Sequence, residues 1–234
     1  MRKYKKLQFM VVGLAALAAS GSARAGIYTY FDGTFNPTDW TAIPFAVAVA
    51  YDAAHGLTFG SYSLSQVSSG GNPGYFQQLA ISSDSGWTGV DVVGPFSYSP
   101  AALGAISSLT IGYSRETLVY NQTNLLEIRQ GSNTFTLPSA DWQTGTTTGW
   151  SNTSFTTTAS DWSNRDGSGT HPDFSSAGGP ITFGWYGADT SVSGTAGVDN
   201  FSVSVDSIPK PATLALLSFG LTSLAVLRRR RRSA

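Results

Sequence analysis

Short runs of apolar and polar residues alternate along the middle of this chain, separated by clusters of turn-forming residues. Aromatic and β-branched residues dominate the runs, and strong helix formers are scarce. A period of two is typical of a strand that buries one face. We predict strands at Ile27–Phe31, Phe45–Tyr51, Tyr75–Ile81, Ser108–Tyr113, Thr117–Tyr120, Leu125–Arg129, Thr134–Leu137, Ile181–Tyr186 and Gly197–Val205.

Turn-forming residues between these runs indicate how the predicted strands are connected. Glycine-rich turns occur at Gly70–Gly74, Asp166–Gly169 and Gly178–Pro180. The segment from Leu125 to Leu137 has Gly-Ser-Asn at its centre, which predicts a hairpin. Pro100–Ile106 fits one short helical turn, and the Thr/Ser-rich stretch 145–160 fits a long loop with an outer strand. Many short strands at this spacing predict an all-β fold, a β-sandwich or jelly roll.

The first 25 residues break this pattern and have the order of a signal peptide. Four basic residues lie within the first six positions, and the apolar run Leu7–Ala19 follows them. Ala23 and Ala25 then form a small-x-small cleavage site. We expect export through the Sec translocon and cleavage by signal peptidase, which would leave Gly26 as the first residue.

The C-terminal segment, residues 208–234, has the order of a membrane signal. Ala212–Leu227 contains sixteen residues and no charge, and five arginines follow. A helix needs about 20 apolar residues to span a bilayer, so this segment spans one only marginally. The arginines should stay cytoplasmic and leave the preceding chain outside. A permanent single-span anchor is one interpretation of this order.

A family resemblance gives the second interpretation. Pro209, Lys210 and Pro211, the apolar span, and the cluster Arg228, Arg229, Arg230, Arg231 and Arg232 together resemble the PEP-CTERM sorting signal. The resemblance implies processing by an exosortase, an intermediate in the inner membrane, and delivery to the cell surface or matrix of a Gram-negative bacterium. The family signature is Pro-Glu-Pro, so Lys210 leaves cleavage open.

Residues 26–207, which we call the ectodomain, are strongly acidic. The stretch from 26 to 208 holds all fourteen acidic residues but only Arg115, Arg129 and Arg165, which gives a formal net charge of −11. Nucleic-acid binding requires basic groups for the phosphates and is excluded as a function. The chain has no cysteine, which excludes thiolate catalysis and cysteine-ligated zinc.

A second resemblance covers both ends of the ectodomain. The segments Tyr30–Trp40, Gly71–Gly74 and Gly197–Val203 resemble first-strand, early-loop and last-strand patterns of concanavalin A-like or carbohydrate-binding jelly rolls. The resemblance implies a structural calcium ion between the first and last strands, with Asp32 and Asp199 as ligands and Asn200 or Asp39 as alternatives. Asp199-Asn200 would otherwise cap a turn before the final strand.

The ectodomain offers no recognisable catalytic set, and we predict no enzymatic activity. Glycoside hydrolysis needs two carboxylates at a fixed separation. The two glutamates, Glu116 and Glu127, are expected on separate strands, and Glu127 is expected to pair with Arg129. Both His55 and His171 lie in predicted loops, without a nucleophile elbow nearby.

Tryptophan provides the better functional indication. Trp142, Trp150 and Trp162 lie in the polar, irregular part of the ectodomain, whereas Trp40, Trp185 and Tyr186 are expected in the core. Exposed aromatic faces can stack on sugar rings. We therefore predict a non-catalytic module that binds glycan or associates with exopolysaccharide. A glycan hydrolase or lyase, and a purely structural surface protein, remain the alternatives.

Overall fold

Two antiparallel sheets of six strands each make up the ectodomain. The computed structural model describes residues 26–83, 86–119, 123–138, 149–190 and 193–208. These residues belong to one compact unit, Gly26–Ser207. The predicted all-β sandwich is confirmed by the two sheets and the shared core between them. The predicted signal peptide and the sorting segment from Pro209 onwards lie outside the described residues.

The first sheet contains both ends of the ectodomain. Its strands are β1 (Gly26–Asp32), β3 (Ser61–Gly71), β4 (Gly74–Ser82), β6 (Ala105–Val119), β9 (Ser151–Thr157) and β12 (Ser193–Ile208). The order is β3-β4-β12-β6-β9, and β1 also pairs with β12. Register places Gly26 opposite Ser207 and Asp32 opposite Phe201. The predicted strands at both ends of the ectodomain are therefore neighbours.

The second sheet contains the remaining six strands. It is built from β2 (Thr41–Pro44), β5 (Trp87–Tyr98), β7 (Thr123–Gln130), β8 (Asn133–Thr136), β10 (Ser163–Asn164) and β11 (Ile181–Thr190). The order is β10-β8-β7-β11-β5-β2. The predicted hairpin is present as β7 and β8, with Gln130 opposite Asn133.

The inner faces of both sheets supply one apolar core. Alternation along β12 buries Phe201, Val203 and Val205, while the serines between them point outward. β11 contributes Ile181, Phe183 and Trp185 to the same cluster. Trp40 and Trp185 are buried as predicted. This burial is the main force that holds the sheets together.

Within the described residues, short helical segments interrupt the strands. α1 spans Ala46–His55, α2 is the single turn Pro100–Leu103, and Ala159–Asp161 forms a 3-10 turn. The strand predicted at Phe45–Tyr51 is wrong, because the segment from Ala46 onwards is α1. Alternating Ala and Val imitates a strand, but the alanines favour a helix, and Gly56 ends it in the left-handed conformation at φ 67°.

α1 covers part of the outer face of the second sheet. Ala48 and Asp52, four residues apart on one helix face, are both buried. The Asp52 carboxylate accepts a hydrogen bond from the Trp87 backbone N–H at 2.9 Å. Among the described residues, no helix has the length and apolar character needed to cross a membrane.

Candidate functional site

Trp150 lies on the outer face of the first sheet, immediately before β9 begins. Its indole Nε1 donates to the Gly70 carbonyl at 2.7 Å, and its ring meets Phe76 edge-on with centroids 5.3 Å apart. A Cβ atom on Gly197 would lie 3.0 Å from the Trp150 ring, so glycine there permits the indole to lie close to the sheet. The side chain stays half-buried, which leaves part of the indole exposed to solvent.

Four polar side chains next to this tryptophan form what we call the amide cluster: Asn72, Ser114, Asn152 and Asn200. Asn72 Nδ2 donates to Asn152 Oδ1 at 2.9 Å, and Ser114 Oγ donates to the same oxygen at 2.6 Å. Asn200 Nδ2 lies 3.2 Å from Ser114 Oγ. These hydrogen bonds hold amides from the β3–β4 turn, β9 and β12 and a hydroxyl from β6 on one surface.

A local irregularity of β12 positions this cluster. Asn200 has φ of 50°, a left-handed conformation that Asn tolerates better than most residues. The Asp199 carboxylate supports it by accepting the Asn200 N–H at 2.6 Å and the Asn72 N–H. Burial raises the pKa of Asp199, against the opposing effect of these two hydrogen bonds. Asp199 and Asn200 therefore determine the irregular backbone conformation in the middle of β12.

Rows of hydroxyl groups continue the face beyond the amide cluster. Ser202 and Ser204 on β12 lie opposite Phe31 and Thr29 on β1. Thr110 on β6 is paired in register with Thr156 on β9, and their hydroxyl oxygens are 3.0 Å apart. These residues alternate with buried core positions, so they share the outward direction. We call them the hydroxyl rows.

Two exposed apolar residues and one carboxylate border the rows. Phe31 is 65% exposed and Ile27 is 70% exposed on β1. The Asp206 carboxylate accepts the Ser108 hydroxyl at 2.7 Å. The whole surface, from Trp150 to Asp206, is referred to below as the polar face.

The three tryptophans predicted to contact glycan have different positions. Trp142 lies outside the described residues. Trp162 is one of the candidate glycan contacts, but the residue is 0% exposed in the shared core. Its indole N–H donates to Thr157 Oγ1 at 3.0 Å, so the ring has no free face for a sugar. Only Trp150 is both described and partly accessible.

The predicted calcium ligand Asp32 accepts hydrogen bonds from the turn that follows it. Asp32 Oδ1 accepts hydrogen bonds from Thr34 N and Phe35 N, both at 2.8 Å. Its Oδ2 accepts the Trp40 indole N–H at 2.8 Å. Burial alone would raise the pKa of Asp32, but these hydrogen bonds outweigh it, and the pKa is lowered. Among the described residues there is no cluster of three or more His, Cys, Asp or Glu, and the calcium ion stays a prediction.

The two glutamates do not form a catalytic pair. Glu116 lies on β6 of the first sheet, whereas Glu127 lies on β7 of the second. Glu127 is 0% exposed, and Arg165 Nη1 lies 3.0 Å from its Oε2. The predicted partner Arg129 is thus replaced by an arginine 38 residues away along the chain.

No family model and no curated protein matches this sequence. Among solved structures, similar folds include carbohydrate-binding modules. A family 11 module from Clostridium thermocellum, solved with a β-1,3-1,4-mixed-linked tetrasaccharide, shares 13% identity with a TM-score of 0.48; the match covers 80% of this chain and 99% of that one.

Two further structures show the same range of similarity. A carbohydrate-binding module that recognises mannan shares 9% identity, with coverage of 78% and 100% and a TM-score of 0.40. The glycoside hydrolase domain of Endo-D from Streptococcus pneumoniae shares 10% identity, with coverage of 70% and 21% and a TM-score of 0.36. At these values the ligands and activities belong to those proteins alone, and the polar face of this chain must be judged by its own geometry.

Proposed function

We propose that this protein binds a glycan chain on the polar face of the first sheet, without cleaving it. The observation that carries the proposal is the position of a partly exposed Trp150 directly beside the hydrogen-bonded amide cluster. Sugar rings present an apolar face that stacks on aromatic rings and hydroxyls that pair with amides. The two kinds of group that a saccharide needs lie side by side here.

The polar groups are already ordered before any ligand binds. Asn72 and Asn152 hold each other at 2.9 Å, and Ser114 bonds to the same amide oxygen. Side chains fixed in this way lose less conformational entropy on binding. The cluster can therefore bind a polar ligand with a small loss of side-chain conformational entropy.

The length of the face favours a polymer over a single sugar. Gly197, under Trp150, and Asp206, at the far end of the hydroxyl rows, lie on the same strand. Nine residues of strand span roughly 30 Å. A chain of several sugar units would be needed to cover this distance, which agrees with a role beside exopolysaccharide.

Substitution of Trp150 by Ala tests the proposal. We expect the variant to lose about tenfold in affinity for any polysaccharide that the wild-type protein retains, equal to about 1.4 kcal/mol. Affinity electrophoresis against a panel of bacterial exopolysaccharides would measure it. The matched control is Tyr51→Ala, which removes an aromatic side chain 48% exposed on α1, over the other sheet. Wild-type affinity in Trp150→Ala, or no retention of any polysaccharide, would contradict the proposal.

The proposal extends to how the protein reaches its glycan. The basic, apolar and Ala-x-Ala order of residues 1–25, and the Pro-Lys-Pro, apolar and arginine order of residues 209–232, support export followed by exosortase-type processing. Intact mass of protein from the native host should begin at Gly26 and end near Pro209. A mass that retains Arg228–Arg232, in the membrane fraction, would replace this pathway with a permanent anchor.

A further inference from the structure

A pocket of about 230 Å3 lies over the second sheet, on elements separate from the polar face. Pro44 and Phe45 form an apolar wall at the end of β2. The β7–β8 hairpin adds Arg129, Asn133 and Thr134, and the segment after β10 adds Arg165 and Asp166. The lining thus combines apolar surface, amides, a hydroxyl and charges of both signs.

Arg165 builds the floor of this pocket. Its guanidinium stacks between the rings of Phe45 and Tyr186, at 3.5 Å and 3.6 Å from the two centroids. Nη1 donates to Asp91 Oδ1 at 2.6 Å and to Glu127 Oε2 at 3.0 Å. With side-chain exposure of only 8%, this arginine is fixed in place by rings and carboxylates. It ties the segment after β10 to β5 and β7.

Arg129 differs from Arg165 in its side-chain contacts, although both guanidinium groups act to lower the pKa of Glu127. It lies on β7, in register with Thr134 of β8 and Thr182 of β11. Within the described part of the chain its side chain makes no ion pair and no hydrogen bond, although the residue is half-buried. A guanidinium group has five N–H donors in a planar fork, which matches a carboxylate. Arg129 therefore offers an unused carboxylate-binding group at the pocket.

The charge distribution makes this placement unusual. The stretch from 26 to 208 has a formal charge of −11 and only three arginines, and two of them line this one pocket. Burial raises the pKa of Glu127 well above its usual range, and the nearby Asp91 carboxylate adds to the effect.

We propose that this pocket binds one sugar ring that carries a carboxylate, a uronate residue of an acidic glycan, with Arg129 taking the carboxylate. Asn133 and Asp166 are placed to pair with ring hydroxyls, and the accessible side chains of Ile43 and Pro44 receive the apolar ring face. The carboxylates of Asp91 and Asp166 repel a small, multiply charged anion such as phosphate. Phosphate also has no apolar face that could pack against the pocket wall. The site is separate from the polar face and does not depend on the proposed function there.

The test compares an acid with its own neutral ester. Isothermal titration of the purified full-length protein with trigalacturonate, and with the methyl ester of the same trisaccharide, isolates the carboxylate. We expect the acid to bind at least tenfold more tightly than the ester. Arg129→Gln should remove this preference, and the preference should weaken with salt. Arg115→Gln, on β6 of the first sheet, is the matched control and should keep it.

Three results with the trisaccharides would overturn the inference. These are equal affinities for acid and ester, a preference for acid that survives in Arg129→Gln, and no binding of the acid. Competition by acetate or phosphate at the same concentration as the trisaccharide would indicate a simple anion site and would also overturn it. Trp150→Ala should leave the acid affinity unchanged, which separates this result from failure of the polar face. Thermal unfolding of each variant shows that Arg129→Gln is folded.

Discussion

At the scale of single residues, long-range partners decide what each polar side chain does. Glu127 and Arg129 are two apart on one strand and share its outer face, so the sequence predicts that they pair. The structure pairs Glu127 with Arg165 instead, because the Arg165 guanidinium is held between Phe45 and Tyr186. A planar, weakly hydrated guanidinium gains from such stacking.

The buried Glu127 carboxyl should make stability depend on pH. Its pKa is raised by burial, so the folded protein binds this proton more tightly than the unfolded chain does. The protonated Glu127 carboxyl therefore contributes fully to stability below pH 4.5, the ordinary pKa of a glutamate. This contribution is lost as the pH rises toward the raised pKa of the folded protein. Relative to Glu127→Gln, the wild-type free energy of unfolding should fall by about 1.4 kcal/mol per pH unit in that window.

Urea denaturation of both proteins between pH 4.5 and 7 measures this difference. Parallel stability profiles for wild type and Glu127→Gln would show that the carboxyl has the same proton affinity in the folded and unfolded states.

Tryptophan exposure shows where local sequence stops being informative. Trp150 and Trp162 both lie in polar sequence without apolar flanks, which made both of them candidates for glycan contact. Trp162 nevertheless follows the 3-10 turn into the core, while Trp150 rests on the outside of the first sheet. Which side of a sheet an aromatic residue meets depends on the pairing of distant strands, and that information is absent from its neighbours.

At the scale of elements, alternation located most strands and missed those with unusual composition. β1, β4, β6, β7, β8, β11 and β12 fall where period-two alternation predicts strands. β3 was missed because five serines and two glycines dilute its alternating apolar positions. β5 was missed because Gly94 and Pro95 occur inside it, at the point where its register with β11 shifts. Glycine and proline mark irregular pairing there as well as turns.

For the helix α1 the error is the opposite one, because a strand was predicted where the chain forms a helix. Its alternating Ala and Val gave a false period of two, although alanine has the highest helix propensity. Phe45, Ala48, Tyr186 and Ala188 form a small cluster that buries the helix against the second sheet. Tertiary packing and helix propensity therefore both favour a helix here, although the alternating pattern predicts a strand.

At the scale of the whole molecule, the two outer surfaces carry different chemistry. The first sheet presents amides, hydroxyls and Trp150, whereas the second sheet presents a pocket built around arginines. The sequence alone could not predict that the residues of either surface lie together, because they come from strands far apart in the chain. The composition nevertheless indicated which residue types are available: the ectodomain is acidic, rich in Ser, Thr and aromatic residues, and poor in basic residues.

The central claim is that glycan occupies the polar face. Chemical-shift mapping by NMR, with a retained polysaccharide fragment titrated into 15N-labelled protein, tests it most directly. The account predicts that the largest shifts fall on the Trp150 indole N–H and on the side-chain amides of Asn72 and Asn152, and then along Ser202 and Ser204. Shifts confined to the second sheet, or absent from Trp150 while binding is saturated, would contradict it.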